Sequence, residues 1–365
     1  MTVLIILILI LPGLRRVSID EISHDPFSKD QTRALKGIFA VCVMMHHLCT
    51  YLSDSYQSLL IFKNVGYIMV GGFFLISGYG LAYGAVHKPN YLHGFIRKRI
   101  LPLLLTYYVI NLFYILLRSR IVSTDRVIKY AVRSLFGLNL WFVPVMVLLY
   151  VVFCLSFRIF GRRGTAAGAV ATTVAVLLFV TISFVVHRLF GIASYGRWWY
   201  NSAPCFLVGI WYKIAEDRIK PFVCRHYAPL TAGAVAIFLP LFIYYCCKQS
   251  IGGNATLLLV LEILCAVVFC IAVLLLSYRY RIGNNLLWLL GDLSFELYLS
   301  HALFISIFRW NQSSLTLFGH TFGIDMYISS DDLYLTAILV STFVFSYAVH
   351  RLCKLIMKRC LQNAK

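Results

Sequence analysis

Apolar residues in this chain are grouped in runs of about 17–25 residues, which short polar stretches separate. A helix of that length crosses a hydrocarbon core about 30 Å thick. The pattern therefore predicts an all-α, polytopic transmembrane bundle of about ten spanning helices. We place these helices near residues 35–52, 64–84, 101–118, 139–158, 166–186, 200–214, 228–247, 255–277, 285–308 and 333–354.

The two ends of the chain differ from its centre. Residues 2–13 are apolar but short, and Arg15 and Arg16 follow them. A secretory signal carries its positive charge before the apolar run, so we expect a short anchoring helix that ends in the cytoplasm. The predicted organisation is an anchor helix with a polar linker at 1–29, a membrane domain at 30–355 and a basic cytoplasmic tail at 356–365.

Composition and charge support a membrane protein and exclude two other classes. Of the 365 residues, 61% are hydrophobic and 13% are charged, whereas soluble domains carry about 25% charged residues. The net charge of +19 comes from basic residues in short loops between apolar runs, and not from a basic and aromatic stripe of the kind that binds nucleic acid. The positive-inside rule then places the basic loops in the cytoplasm, so we expect membrane lipids, but no nucleic acid, as partners. These loops are residues 87–99, 158–165, 213–226, 278–284 and 351–365.

The loop 118–138 departs from this rule, because five cations would lie outside, namely Arg118, Arg120, Arg126, Lys129 and Arg133. The departure indicates either a binding site for an anionic group or an error in one helix boundary. The 11 cysteines show no CxxC spacing and lie mostly in apolar runs. We therefore predict neither disulfide bonds nor a metal site.

The first full helix, RALKGIFAVCVMMHHLCTYL, carries ionisable residues, which are costly in a membrane and usually functional. Lys36 and His47 are eleven residues apart, so they share a helix face about 16 Å apart along the axis. Arg33 lies about 40° from His47, whereas His46 is turned away by about 80°. The alternative is that Arg33 and Lys36 are interfacial anchors and that both histidines are packed or near headgroups.

Two further polar groups are candidate sites. In the penultimate helix, Ser294, Tyr298 and His301 share one face, while Asp292 and Glu296 share another and need partners or a water-filled cavity. A structural hydrogen-bond network is the alternative for Ser294 and Tyr298. The other group is a cluster of three cations before Pro102, which either fixes the topology or binds an anionic ligand near a helix N-terminus. These cations are Arg97, Lys98 and Arg99.

Together these segments resemble the acyltransferase-3 family of membrane acyltransferases from about residue 30 to 352. The family begins with Arg or Lys, ten residues and His, which Lys36 and His47 match. The later elements are matched in order by Phe73-Phe74-Leu75-Ile76-Ser77-Gly78-Tyr79, by Arg97-Lys98-Arg99 with Pro102, by Leu140-Trp141-Phe142 and by Gly291 to His301. The chain departs from the family at Gly72, where many members carry an acidic residue nearby, and at Leu101, where an Arg is common.

The resemblance implies transfer of an acyl group, commonly acetyl, from cytosolic acyl-CoA to a hydroxyl of a glycan, lipid-linked sugar or other envelope molecule. Acyl-CoA would be a co-substrate, with no bound cofactor, and the location would be a bacterial inner membrane. The resemblance implies a catalytic role for His47, as general base or acyl carrier, and for Lys36. The substrate-binding residues would be Arg33, Arg97, Arg99, Ser77, Tyr79, Trp141, Ser294, Tyr298 and His301.

Two other functions use the same residues differently. In a transporter or flippase of lipid-linked sugars, the polar stripe would line a pathway, but the sequence lacks the internal repeats of many transporters. In a scaffold protein, His47 would have no evident purpose. CoA binding separates the acyltransferase from both alternatives, because neither of them needs CoA.

Overall fold

The computed structural model describes residues 10–18, 25–52, 59–118, 124–191, 195–309, 313–317, 320–324 and 326–362. It is 82% helical, with 13 α-helices among the described residues, so the predicted all-α class is confirmed. The helices are α1 (Lys29–Leu48), α2 (Gly66–His87), α3 (Leu101–Arg118), α4 (Thr124–Leu135), α5 (Phe142–Ile159), α6 (Thr165–Phe190), α7 (Pro204–Ile214), α8 (Glu216–Arg225), α9 (Tyr227–Ser250), α10 (Ala255–Arg279), α11 (Asn285–Asp292), α12 (Ser294–Ile307) and α13 (Asp331–Gln362). The strands form two antiparallel pairs, β1 (Arg15–Arg16) with β2 (Tyr280–Arg281) and β3 (Ser313–Leu317) with β4 (His320–Ile324).

Seven helices of the described residues are long and apolar enough to cross a membrane, so the chain is a polytopic membrane protein. They are Gly66–His87, Ile96–Leu116, Phe142–Ile159, Thr165–Phe190, Tyr227–Ser250, Ala255–Arg279 and Asp331–Cys360. Each corresponds to one of the ten helices predicted from the sequence. The count of ten is not confirmed, because the other three differ in charge, length or continuity.

Those three helices differ for identifiable reasons. The first, α1, begins at Lys29 and so includes four charged residues in its first half. In the predicted span 200–214, the helix begins only at Pro204, a residue suited to a first turn. The predicted span 285–308 is interrupted at Leu293, with φ −91° and ψ 1°. Gly291 and Asp292, both poor helix formers, precede this break.

The sequence interpretation also differs from the structure in a basic loop and at the N-terminus. The basic stretch that we predicted as a loop contains α4, and residues 119–123 lie outside the described part. Most of the anchor helix predicted over 2–13 also lies outside it. Residues Leu11–Gly13 form one 3₁₀ turn, and Arg15 and Arg16 then pair with β2.

The chain divides into two compact units. The first unit comprises Met1–Cys42, Asn64–Phe95 and Val145–Asp292. Its centre is the packing of α2 against α7. A Cβ added at Gly78 would lie 2.1 Å from the carbonyl oxygen of Phe206, and one at Gly209 would lie 2.1 Å from that of Leu75. The two backbones therefore approach as closely as they do only because both positions are glycine.

A buried carboxylate in α10 is fully compensated within the same unit. Glu262 is 4% exposed and accepts hydrogen bonds from three side chains. Arg197 Nε lies 3.2 Å from both carboxylate oxygens, Asn201 Nδ2 lies 3.0 Å from Oε2, and the Tyr245 hydroxyl lies 3.3 Å from Oε1. A charge inside a membrane segment needs such partners.

The second unit comprises Val43–Lys63, Ile96–Pro144 and Leu293–Lys365. In it α12 packs against α13 and α3. The Tyr114 hydroxyl donates to the Leu299 carbonyl at 3.2 Å, and Ser300 and Ser346 share a hydrogen bond at 2.8 Å. Glu296, which we expected to need a partner, lies 3.0 Å from Nδ1 of His350. These contacts fix the rotation of α12 about its axis.

Candidate active site

Two histidines from distant parts of the chain lie side by side in the second unit. His47, near the C-terminal end of α1, has its ring centroid 5.0 Å from that of His301 in α12, and the planes meet at 35°. His301 is buried, with 3% of its surface exposed, whereas His47 is exposed. The pair therefore joins an accessible imidazole to one held inside the protein.

The hydrogen bonding of His301 assigns its tautomer. Its Nδ1 lies 3.1 Å from the carbonyl oxygen of Leu297, and because a carbonyl only accepts, Nδ1 carries the proton. Nε2 of the neutral ring is then an acceptor. This atom is buried and has no hydrogen-bond partner among the described residues. A buried acceptor of this kind is costly unless a substrate or another group uses it.

His46 is arranged differently from His47, although their rings are 5.0 Å apart. Its Nδ1 lies 2.9 Å from the carbonyl oxygen of Phe62, to which it donates. His46 is half-buried and ties the end of α1 to the segment before α2. The geometry therefore gives His46 a positioning role and leaves His47 as the accessible histidine.

Aromatic rings form one wall beside the histidine pair. The ring centroid of Tyr298 lies 6.0 Å from that of His301, and the ring centroid of Phe142 lies 4.6 Å from that of Tyr298. Trp141, which we predicted to bind substrate, packs edge-on against Phe142, with the ring centroids 6.1 Å apart. Sequence reasoning missed Phe142, although it is adjacent to Trp141 in the same motif. Ser294, also predicted, is buried at the start of α12.

The predicted cations of α1 lie on one continuous helix, and Arg33 has an anionic partner. Its Nε donates to Asp292 Oδ1 at 2.8 Å, and its Nη2 donates to Asp292 Oδ2 at 2.5 Å. Asp30 lies 3.5 Å from Nη1. Lys36 is half-buried one turn further along α1. The guanidinium is thus already neutralised, so binding a phosphate would compete with Asp292.

The predicted basic cluster precedes α3 in a π-helical turn, Ile96–Ile100. Arg97 Nη2 donates to the carbonyl oxygen of Cys360 at 2.8 Å, in the last turn of α13. A cation there stabilises the negative end of the helix dipole. Lys98 and Arg99 are exposed. Of the two residues of this cluster that we predicted to bind substrate, Arg97 and Arg99, the exposed one is therefore Arg99.

The other predicted residues belong to the first unit. The Tyr79 hydroxyl donates to Asp25 Oδ2 at 2.5 Å, and Tyr79 lines a cavity of about 280 Å³ together with Lys29 and Tyr83. Ser77 is half-buried two residues before it. Sequence reasoning missed a larger basic cavity of about 690 Å³ in this unit, because its cations come from segments that are far apart in sequence, after α2 and around the end of α5. Its charged or ionisable lining residues are Lys88, His93, Arg158 and Arg162.

A family model described as an acyltransferase domain matches residues 32–351. The chain belongs to the acyltransferase-3 family. The match covers most of the sequence and includes every residue of the histidine pair and its aromatic wall. Neither the curated proteins nor the solved structures compared with the chain include a match.

Family membership makes the chain a membrane acyltransferase, as the sequence resemblance implied. It supports this interpretation over a transporter or a scaffold, since the family is defined by group transfer. In the part of the chain that the structure describes, no three His, Cys, Asp or Glu side chains cluster as metal ligands do. The described site contains imidazole, hydroxyl and aromatic groups.

Proposed function

We propose that this acyltransferase transfers an acyl group, with acetyl as the expected chain, from cytosolic acyl-CoA to a hydroxyl of a cell-surface glycan or envelope molecule. The observation that carries the proposal is the pairing of exposed His47 with buried His301 at 5.0 Å. General-base catalysis of acyl transfer needs an accessible imidazole whose orientation is fixed. The contact with His301 and the anchored neighbour His46 supply that fixation.

The reaction balances with His47 as general base. One ring nitrogen of His47 takes the proton of the acceptor hydroxyl while that oxygen attacks the thioester carbonyl. The new C–O bond forms, the C–S bond breaks, and the CoA thiolate leaves with the proton that His47 returns. His301 is the positioning residue, because its Nδ1–H is fixed on the Leu297 carbonyl and its buried Nε2 remains available as an acceptor.

A covalent form of the same mechanism uses the same residue. Here a nitrogen of His47 attacks the thioester, CoA leaves, and the acyl-imidazole is then attacked by the acceptor hydroxyl. Incubating the purified protein with labelled acetyl-CoA and no acceptor separates the two forms. Label recovered on the peptide that contains His47 supports the covalent form, whereas loss of thioester only when acceptor is present supports the general-base form.

The anionic part of the donor needs cations, since CoA carries several phosphate charges. Arg99, exposed before α3, is the predicted residue best placed to supply one, with Arg97 beside it at the end of α13. Lys36 lies on the same helix as His47. It can contact the donor at the end opposite to that bound by Arg99. The positive-inside rule supports entry of the donor from the cytoplasm, and the family resemblance supports a bacterial inner membrane as the location.

A comparison of surface glycans tests the proposal. A deletion strain should lack an acyl group that mass spectrometry detects in its parent, and the wild-type gene should restore it. His47→Ala should not restore it, while His46→Ala, produced at the same membrane level, should restore it in part. CoA binding by purified His47→Ala confirms that the variant is folded. An unchanged glycan mass in the deletion strain, together with no CoA binding by the wild-type protein, would overturn the proposal.

A further inference from the structure

A cavity in the second unit lies between α3, α4 and α12, and its volume is about 440 Å³. Of its lining residues, only Leu140 belongs to a motif of the family resemblance. The cavity contains the basic stretch whose outside location was unexplained by the positive-inside rule. Its polar and aromatic lining residues are Tyr114, Lys129, Tyr130, Arg133, Asn139 and Ser306.

The helix that carries the two cations is held rigidly on α3. The Tyr107 hydroxyl donates to the carbonyl oxygen of Ser134 at 2.7 Å, and the Tyr108 hydroxyl donates to that of Leu135 at 3.0 Å. Asn139 Nδ2 donates to the Tyr130 carbonyl oxygen at 2.9 Å. The first two bonds use carbonyl groups of the last turn of α4, which have no intrahelical donors. The cavity is therefore part of the folded framework.

Among the described residues, no acidic side chain compensates the charge of this cavity. Its lining contains no carboxylate, and among the ion pairs of the described residues none involves Lys129 or Arg133. Lys129 is exposed and Arg133 is half-buried. Other cations of the chain have acidic partners, as Arg197 does in Glu262 and Arg309 in Asp331. Two cations without an acidic partner among the described residues, beside stacked tyrosines, suit an anionic ligand with an apolar face.

The cavity also lies close to the proposed chemistry. Ser306 follows His301 by five residues on α12, which is about 7.5 Å along the axis. Tyr114 and Tyr130, whose ring centroids are 6.4 Å apart with planes at 30°, also line the cavity. One sugar unit spans a comparable distance, so an acceptor with its hydroxyl at the histidine pair can place a neighbouring group here.

We propose that this cavity binds an anionic group of the acceptor, a phosphate or a carboxylate, and so selects acidic or phosphorylated glycans. The inference rests on the proposed function for the identity of the ligand as acceptor. Lys129 and Arg133 provide the charge, and the tyrosine rings pack against the adjoining sugar. Lys129 and Arg133 are substrate-binding residues and take no part in the bond changes.

Titration calorimetry on the full chain in nanodiscs tests the site at low ionic strength, where exposed charges are least screened. The probes are inorganic pyrophosphate, glucuronate and neutral glucose. We expect at least one anion to bind more than about tenfold more tightly than glucose, because each charge-assisted hydrogen bond contributes about tenfold or more in affinity. Pyrophosphate as the tighter ligand indicates a phosphorylated acceptor, and glucuronate indicates an acidic sugar.

Matched variants distinguish binding at this cavity from non-specific attraction of anions to the positively charged protein. Lys129→Gln and Arg133→Gln should each weaken the anion by about tenfold, while Arg133→Lys should keep most of the binding. Lys358→Gln, which removes one exposed charge from α13, is the control and should leave binding unchanged. Binding of neither anion, or binding that survives the Lys129→Gln and Arg133→Gln double substitution, overturns the inference.

The outcome is distinguishable from failure of the proposed function. His47→Ala should bind the anions as the wild-type chain does, because it lies outside the cavity lining. CoA binding should be unchanged in the Lys129 and Arg133 variants. Anion binding without any acyl transfer would refute the acyltransfer mechanism and leave the cavity as an anion site. Acyl transfer without anion binding would refute the cavity alone.

Discussion

Arg33 and Asp292 form a two-pronged ion pair, with Nε 2.8 Å from Oδ1 and Nη2 2.5 Å from Oδ2. The pair joins the start of α1 to the end of α11 within the first unit. A planar guanidinium that already meets a carboxylate in this way has its strongest anion-binding edge occupied. This contact bears directly on whether Arg33 can bind the phosphates of a donor.

We expect Arg33→Gln to raise the Michaelis constant for the donor less than Arg99→Glu does, because Asp292 already neutralises Arg33. The ion pair is partly exposed, so its loss should lower the free energy of unfolding by no more than about 1 kcal/mol. Asp292→Asn is the matched variant and should cause a similar small loss. Donor kinetics of the three variants provide the measurement. An Arg33→Gln effect as large as that of Arg99→Glu would show that the guanidinium leaves Asp292 for the donor.

His47→Ala should abolish acyl transfer, whereas His46→Ala should retain much of it. General-base assistance contributes about 10²–10⁴-fold, and an acyl-carrying histidine can contribute more. His46 is tied to the Phe62 carbonyl, so its removal should reduce activity by roughly tenfold through displacement of α1. Initial rates at matched membrane abundance decide the point. The reverse order of effects would contradict both the helix phase and the family spacing.

Arg99→Glu should weaken the donor by roughly ten- to a hundredfold and leave the acceptor Michaelis constant nearly unchanged. Loss of a charge-assisted contact costs about 1.5–3 kcal/mol, and reversal of the charge adds repulsion. Arg225→Glu, an exposed charge reversal at the end of α8, is the control and should have little effect. Steady-state kinetics with varied donor concentration make the comparison. An unchanged donor constant in folded Arg99→Glu would reduce the cluster to a topological anchor.

Lys88 should face the cytoplasm and Lys63 the outside, since the long apolar helix α2 separates them. A cysteine at each position, introduced singly into an active background without the 11 native cysteines, tests this. An impermeant maleimide should label Lys63→Cys in intact cells and Lys88→Cys only after permeabilisation. Labelling of Lys88→Cys in intact cells would invert the predicted topology.

Much of the fold was predictable because hydropathy over about 20 residues is a strong signal. The break at Leu293 was not, since the apolar run continues through it. The helix α4 was missed because its basic residues resemble a loop. Val127, Tyr130, Ala131 and Ser134, spaced i, i+3, i+4 and i+7, mark its inner face and could have indicated it.

Only those relationships in the candidate site that depend on residue spacing within one helix were predictable from the sequence. Lys36 and His47 follow from a single helical face, and Tyr298 and His301 follow from another. The contact between His47 and His301 depends on the rotation of two helices that are far apart in sequence. The role of Phe142 and the basic cavities depend on side chains from several elements, which no local pattern contains.

The reciprocal packing of Gly78 and Gly209 limits how this chain can change over generations. A methyl group at either position meets the backbone of the opposite helix, where no side chain can be trimmed to make room. A second substitution therefore cannot compensate for the first, because the atoms in the way belong to the backbone of the opposite helix and not to a side chain that could be shortened. Descendants that keep this arrangement of α2 and α7 should inherit both glycines together, whatever acceptor they acquire.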